Sequence, residues 1–371
     1  GGRGEALGAL LGVLQNAANV DTLGKARALL HQANVGSALS QMIAKLAPQP
    51  GSADPPPGKV GRTGSSGEGG VGVKEAVLLD NAVACLRNVC CGSPDICEQV
   101  GAAGGVSVLA SLVSQGSHET PPPWCLEELM VNALFCLANL SLECDANRVH
   151  VLQSGITQRT MLVAGKGAVE GGAKRPSEAA CLLLQSLSLN PRCRLRLVER
   201  DCVRLMFDVM SSPGAAPGQV AGTAGTVLHL SRTAGQTQKY VALGGLVLTA
   251  KMLYESSHPA ALKTLLELVM ALAADDEHRR ALMQEGAVRA TLNLLDQQRR
   301  SPVPICELAC ECLALFAADP GAKLHMQKIG VEKVLSEFGD AKQNRFKSER
   351  VSHASRLALS LLSRLPPPQQ A

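Results

Sequence analysis

The sequence predicts an all-α fold in which helical repeats stack into an α-solenoid. A unit of about 43 residues recurs along the chain. Within each unit the apolar residues lie three and four positions apart, as they do on one face of a helix. The apolar residues that open the second half of each unit are separated by 42 to 50 residues: Val106, Ile156, Val203, Leu246, Val288 and Val331.

Each unit pairs an apolar helix with a second run that opens on Gly and a β-branched or other apolar residue. In the copy spanning 131–163, Val131, Leu134, Phe135 and Ala138 share one helical face. No single unit can bury such a stripe alone, so neighbouring units must stack. We count about seven repeats and a partial one.

The same patterns predict the domain organisation. Residues 1–47 form a first repeat, and residues 74–365 form a continuous repeat array. Between them, the Pro/Gly/Ser-rich residues 48–73 are predicted to be a flexible insert, because their composition cannot bury enough apolar surface to offset ordering. Residues 366–371 are expected to be a disordered tail. Because the chain opens on Gly1, we expect a fragment or a processed product.

Composition narrows the function classes. The formal charge of +4, from 36 basic and 32 acidic residues, gives no concentrated positive field, so nucleic-acid binding is not expected. No apolar run approaches the ~20 residues of a membrane helix, so no membrane interaction is expected. The 13 cysteines are odd in number and lie mostly within helical patterns, which favours free thiols in a reducing compartment. The cytoplasm is therefore expected, with the nucleus as the alternative.

Catalytic and metal motifs are incomplete. The Gly-rich stretches at 58–59 and 171–174 do not complete the spacing of a phosphate-binding loop, and no nucleophile elbow or His-Glu-x-x-His occurs. Cys306 and Cys310 share a helical face, but Cys312 points elsewhere and no fourth metal ligand follows. We predict no enzymatic activity, no cofactor, no metal and no small-molecule substrate.

The motif Leu137-Ala138-Asn139-Leu140-Ser141, with the Gly that follows it, resembles the armadillo repeat family, a relative of HEAT-like solenoids. This resemblance covers nearly the whole chain outside the linkers. It implies a right-handed superhelix of three-helix repeats whose third helices line a concave groove. In several members an Asn on the third helix holds an extended partner peptide, since it offers both a donor and an acceptor. The matching positions are Asn16, Asn88, Asn139, Ser186, His229, Ala271 and Leu315.

A second family position lies one helical turn earlier, where nuclear import receptors carry Trp. The matching residues include Phe135, Glu267 and Glu311, and none is Trp, so an import-receptor role is not expected. For the Asn positions the alternative is hydrogen bonding within the repeats, and for the Glu positions it is a solvated helix face. The candidate partner-binding residues are Asn16, Arg87, Asn88, Phe135, Asn139, His229, Glu267 and Glu311.

The resemblance implies a non-catalytic scaffold or adaptor that binds another protein, such as an extended peptide segment of it, along the concave groove. Two alternatives stay open. In the first, the chain is the substrate-recruiting armadillo region of a U-box ubiquitin ligase. In the second, it is the armadillo part of a TPR-containing co-chaperone or assembly factor. The sequence upstream of Gly1 discriminates among the three.

Limited proteolysis tests the predicted insert. The Pro, Gly and Ser content of residues 48–73 predicts that a nonspecific protease cleaves there first, because unpacked backbone enters a protease site most readily. Mass spectrometry of the first fragments locates the cut. Primary cleavage within 131–141 would contradict the repeat assignment.

Overall fold

The structure is a computed structural model that describes residues 30–47, 70–117, 127–169, 171–295, 301–339 and 348–363. Throughout these ranges the regular elements are helices, so the all-α prediction is confirmed. The chain divides into two compact units, residues 1–202 and residues 203–371. Continuity of the array between the units stays a prediction.

In the first unit, two short helices alternate with one long helix. The long ones are α2, α5 and α8, which have 21, 17 and 15 residues. The helices are α1 (Val35–Leu46), α2 (Gly70–Cys90), α3 (Pro94–Ala102), α4 (Gly105–Gly116), α5 (Glu127–Glu143), α6 (Asp145–Gln153), α7 (Thr157–Lys166), α8 (Lys174–Ser188) and α9 (Pro191–Glu199).

The second unit follows the same order, and its long helices are α11, α14, α17 and α20. Helix α10 begins at Cys202, the last residue of the first unit. The helices are α10 (Cys202–Met210), α11 (Pro217–Leu230), α12 (Gln236–Ala242), α13 (Gly245–Glu255), α14 (Pro259–Leu272), α15 (Asp276–Gln284), α16 (Ala287–Leu294), α17 (Val303–Ala317), α18 (Pro320–Lys328), α19 (Val331–Phe338) and α20 (Glu349–Ser363).

Long helices of consecutive repeats pack side by side and form the core. In the first unit α5 packs between α2 and α8, and in the second α11, α14, α17 and α20 follow one another as neighbours. Residues of the predicted apolar stripes are completely buried, as Leu134, Leu265 and Leu268 show. The stripes therefore lie in the contacts between helices. The expected mutual burial of repeat stripes is thus confirmed within each unit.

The two short helices of a repeat meet at a residue with left-handed backbone. Glycine supplies this residue at five junctions, with φ between 76° and 89°: Gly104, Gly155, Gly244, Gly286 and Gly330. Asn34 and Asp201 take the same role with φ of 56° and 57°. Glycine adopts this conformation without steric cost, which explains the Gly before five of the six apolar anchors. Those anchors are buried, as Val106 and Val288 illustrate.

Arginines on short helices that directly follow long helices satisfy carbonyl groups at the ends of those long helices. Arg148 donates from Nη2 to the Leu142 carbonyl at 2.6 Å, and Arg279 donates from Nη1 to the Ala273 carbonyl at 3.0 Å. Arg194 bonds the carbonyls of residues 188 and 189 in the same way. The last carbonyls of a helix have no partner inside the helix, so these arginines fix the sharp bend into the next repeat.

Helices on both sides of the predicted insert pack together. Helix α1 contacts α2, α3 and α4. In addition, the Gln99 side chain donates from Nε2 to the His31 carbonyl at 2.9 Å. Helix α2 begins at Gly70, within the last residues of the predicted insert, and the predicted domain bounds stay a prediction. The remainder of the insert, 48–69, lies outside the described residues, as do 1–29 and the tail 366–371.

The left-handed junction yields a stability prediction. Gly286→Ala should lower the free energy of unfolding by about 1–2 kcal/mol, because its φ of 85° disfavours any residue with a Cβ. A Cβ there would meet no atom within 4 Å, so the cost comes from the backbone alone. Gly286→Asn is the matched control and should cost less, since Asn tolerates this conformation. Equal denaturation midpoints for Ala and Asn variants would contradict this explanation.

Candidate partner-binding surface

In the first unit, the structure gathers four of the predicted site residues on adjacent long helices. Arg87 and Asn88 lie in the last turn of α2, and Phe135 and Asn139 lie one turn apart on α5. All four side chains are half-buried. Because α2 and α5 pack directly, these residues form one surface, which we call the Arg87 cluster.

Three neighbours fix the Arg87 guanidinium. Its Nη1 donates to Asn132 Oδ1 at 2.7 Å, and its Nε donates to Asn88 Oδ1 at 3.2 Å. Its Cζ lies 5.9 Å from the centre of the Phe135 ring, within the range of a cation–π contact. The guanidinium is therefore oriented before any partner arrives.

Asn132 and Asp80 belong to the Arg87 cluster and were missed by the sequence prediction. Asn132 is 6% exposed, and its Nδ2 donates to Asp80 Oδ1 at 2.8 Å across the α2–α5 contact. Burial raises the pKa of the Asp80 carboxyl, while the Asn132 hydrogen bond opposes that rise. The spacing offered a signal, since Asn132 and Asp80 each precede a predicted residue by two helical turns, which places them on the same face.

Asn139 makes a structural contact between repeats. Its Nδ2 donates to the backbone carbonyl of Arg87 at 2.9 Å, which joins α5 to the end of α2. Its Oδ1 has no hydrogen-bond partner among the residues that the structure describes. Asn139 therefore holds the helix that carries Arg87 and keeps one acceptor on the surface.

The remaining Asn-equivalent positions of this unit are Asn16 and Ser186. Asn16 lies outside the described residues. Ser186 on α8 is 2% exposed and donates to the carbonyl of Leu183, so it does not reach the surface. The exposed side chains of Arg175 and Glu128 form an ion pair between α8 and α5.

The other predicted residues lie in the second unit, each on a different long helix. His229 is half-buried on α11. Glu267 on α14 lies 3.9 Å from the Lys263 ammonium, one turn earlier on its own helix. Glu311 on α17 is exposed and borders an open cleft of about 930 Å³ between α17 and α20. These three residues do not form a cluster like that of Arg87.

The cysteines of α17 have separate neighbours. Cys306 faces the Ser301 carbonyl at 3.6 Å, Cys310 faces Ser355 Oγ at 3.3 Å, and Cys312 faces Thr291 Oγ1 at 3.8 Å. Burial raises the pKa of the Cys310 and Cys312 thiols to about 12. Within the described ranges, no group of three or more His, Cys, Asp or Glu side chains is arranged to hold a metal.

None of the described helices alone has the length and apolar character needed to cross a bilayer. The adjacent helices α3 and α4 meet that criterion only as a pair, and they are bent by 79° where they join.

Curated relatives share this repeat architecture. Armadillo repeat-containing protein 6 from Homo sapiens and from Pongo abelii is 21% identical over 257 residues, which is 64% of this chain and 48% of the relative. The chain thus spans about half the length of these curated relatives. No protein-family model matches the chain.

Solved structures agree on the fold. An engineered protein superimposes with a TM-score of 0.65 at 17% identity, covering 97% of this chain and 75% of its own. A structure described as computationally designed armadillo repeat proteins for modular peptide recognition has a TM-score of 0.53 at 16% identity, covering 68% and 99%. The chain is therefore an all-helical α-solenoid protein. Its repeats have the same fold as designed armadillo repeats, and the resemblance to armadillo repeat proteins found in the sequence is confirmed.

Asn139 and Asn88 should differ in their effect on stability. Asn139→Ala removes a hydrogen bond between neighbouring repeats and should lower the free energy of unfolding by about 0.5–1.5 kcal/mol. Asn88→Ala is the matched variant, and it should cost less because Asn88 Oδ1 bonds only the adjacent residue's side chain. Urea titrations of both variants provide the measurement. A larger loss for Asn88→Ala would contradict the assigned roles.

Proposed function

We propose that this chain is a non-catalytic scaffold that binds an extended segment of a partner protein along the long helices of its first unit. The observation that carries the proposal is the Arg87 cluster. Arg87 is oriented by Asn132, Asn88 and Phe135, yet it stays half-exposed. A polar group that is already fixed loses little conformational entropy on binding, which favours recognition.

The cluster offers the hydrogen-bonding groups that an extended peptide needs. A guanidinium has five N–H donors. Two hydrogen bonds occupy Arg87 donors, so three donors remain for carbonyl or carboxylate oxygens of a partner. The amide nitrogen of Asn88 and the Oδ1 of Asn139 add a donor and an acceptor. Together they match the alternating acceptors and donors of an extended backbone.

Similarity to designed proteins supports a peptide partner. The designed armadillo structure described above was made for modular peptide recognition, and it shares the fold of this chain. The inference to this chain rests on that shared fold together with the Arg87 cluster. A formal charge of +4 supports a protein partner over nucleic acid.

We also propose that the protein acts in the cytoplasm, with the nucleus as the alternative. The cysteines of the described residues are free, and most are buried in helix contacts. Burial raises the pKa of Cys85 and Cys193 to about 11, so these thiols stay protonated at neutral pH. Buried neutral thiols act as small apolar residues of the core.

A capture experiment tests the proposed function. The full chain, the double variant Arg87→Ala with Asn88→Ala, and the control Arg196→Ala are used as baits under identical conditions. Arg196 is a matched control because it is an exposed arginine on the short helix α9 of the same unit, where it pairs with Glu199. A direct partner should bind the double variant roughly five- to a hundredfold more weakly, because two hydrogen-bonding groups are lost.

Quantitative mass spectrometry identifies the captured proteins, and titration with the purified partner gives the dissociation constants. Circular dichroism and urea unfolding show whether each variant folds. If every captured protein binds the folded double variant as tightly as the wild type, the Arg87 cluster is not the binding surface and the proposal is wrong.

A further inference from the structure

The cleft between α17 and α20 has the size of a binding pocket. It has a volume of about 930 Å³ and lies between two long helices that pack directly. Ligand-binding clefts typically span about 300–1,000 Å³. The side chains that line it on α17 follow helical spacing from Glu311 through Leu315 to Ala318, and those on α20 run from Arg350 through Leu357 to Leu361.

Small and aliphatic residues form the floor and walls of this cleft. Ala314 and Ala354, each 5% exposed, face it from opposite helices. Because alanine ends at Cβ, the contact between the helices is left open where longer side chains would fill it. Leu315 and Leu361 are half-buried, and Leu357 is 47% exposed. An apolar surface this exposed gains free energy when another apolar group covers it.

Charges of both signs surround the apolar floor. Glu311 lies on α17, whereas α20 contributes the basic residues Arg350 and Arg356, His353 and the acidic Glu349. Among the residues that the structure describes, Glu311, Arg350 and His353 make no ion pair. By contrast, Glu307, one turn before Glu311, accepts a hydrogen bond from Ser348 Oγ at 2.9 Å. The rim thus keeps an acidic side on α17 and a mainly basic side on α20 for a partner.

We propose that this cleft, the α17–α20 cleft, binds a short peptide segment of a partner protein through one bulky aliphatic or aromatic anchor. A basic residue of the peptide pairs with Glu311, and an acidic residue pairs with Arg350 or His353. The inference extends the proposed scaffold function to the second unit and rests on it. Charge complementarity selects this occupant, because an apolar ligand alone would leave both sides of the rim unused.

The α17–α20 cleft is tested with random 12-residue peptides displayed on phage and selected on the full chain. Enriched peptides should share an aliphatic or aromatic residue flanked by charges of opposite sign. A parallel selection on Glu311→Lys should replace the basic residue by an acidic one. Synthetic peptides from the first selection should bind Leu357→Ala at least roughly tenfold more weakly, because the anchor loses an apolar contact.

Two further variants control for indirect effects. Leu324→Ala removes a similarly exposed leucine, 59% exposed on α18, and should leave binding unchanged within about twofold. Ala354→Phe fills the cleft and should abolish binding. Overpacking can unfold a chain, so circular dichroism is recorded for the Ala354→Phe variant. If that variant is unfolded, the binding of Leu357→Ala, a substitution at an exposed site, decides the outcome.

Other outcomes overturn the inference. Failure to enrich such peptides, or equal binding by wild type and Leu357→Ala, excludes the proposed occupant. A chain lacking residues 366–371 that binds peptides tenfold more tightly would identify the chain's own end as the occupant. Concentration-dependent dimerisation lost in Leu357→Ala would identify a second copy. Peptides that respond to Arg87→Ala but not to Leu357→Ala would support the proposed function while rejecting this cleft.

Discussion

The contact between long helices of consecutive repeats is the constraint on which the rest of the structure depends. A single repeat exposes an apolar stripe, and packing against neighbouring helices, the adjacent long helices among them, buries it, as the complete burial of Leu134 and Leu268 illustrates. Packing these helices side by side also places the residues beside each stripe on a shared surface. The position of the candidate site is therefore a consequence of core packing, and only its chemistry is left to individual side chains.

The same contact couples the proposed binding surface to stability. Asn139 lies at the position that the family resemblance assigns to peptide binding, yet its amide holds the Arg87 carbonyl of the neighbouring repeat. Asn132 likewise connects Arg87 to Asp80 across the helix contact. A substitution here removes a surface group and loosens the helix that presents it. Affinity per folded molecule is therefore the informative quantity for this surface.

Local patterns predicted the elements well because their causes are local. Apolar spacing gave the helices, and the left-handed junction explains the Gly before each buried anchor, such as Gly286 before Val288. Composition alone, by contrast, does not show where α2 begins, which the structure gives as Gly70. Asp80 and Asn132 were missed for a different reason: their hydrogen bond joins residues 52 positions apart, and only the packed helices bring them together.

Equivalent positions in the two units show how one repeat geometry supports different chemistry. Phe135 and Asn139 in α5 match Glu311 and Leu315 in α17 within the repeat pattern. In the first unit the pair supports a fixed guanidinium, so the recognition proposed there would depend on hydrogen bonds. In the second unit the pair borders an apolar cleft with a charged rim, so the recognition proposed there would depend on burial and ion pairing. Because the backbone positions are shared, selectivity for a partner must come from the side chains at these positions rather than from the fold.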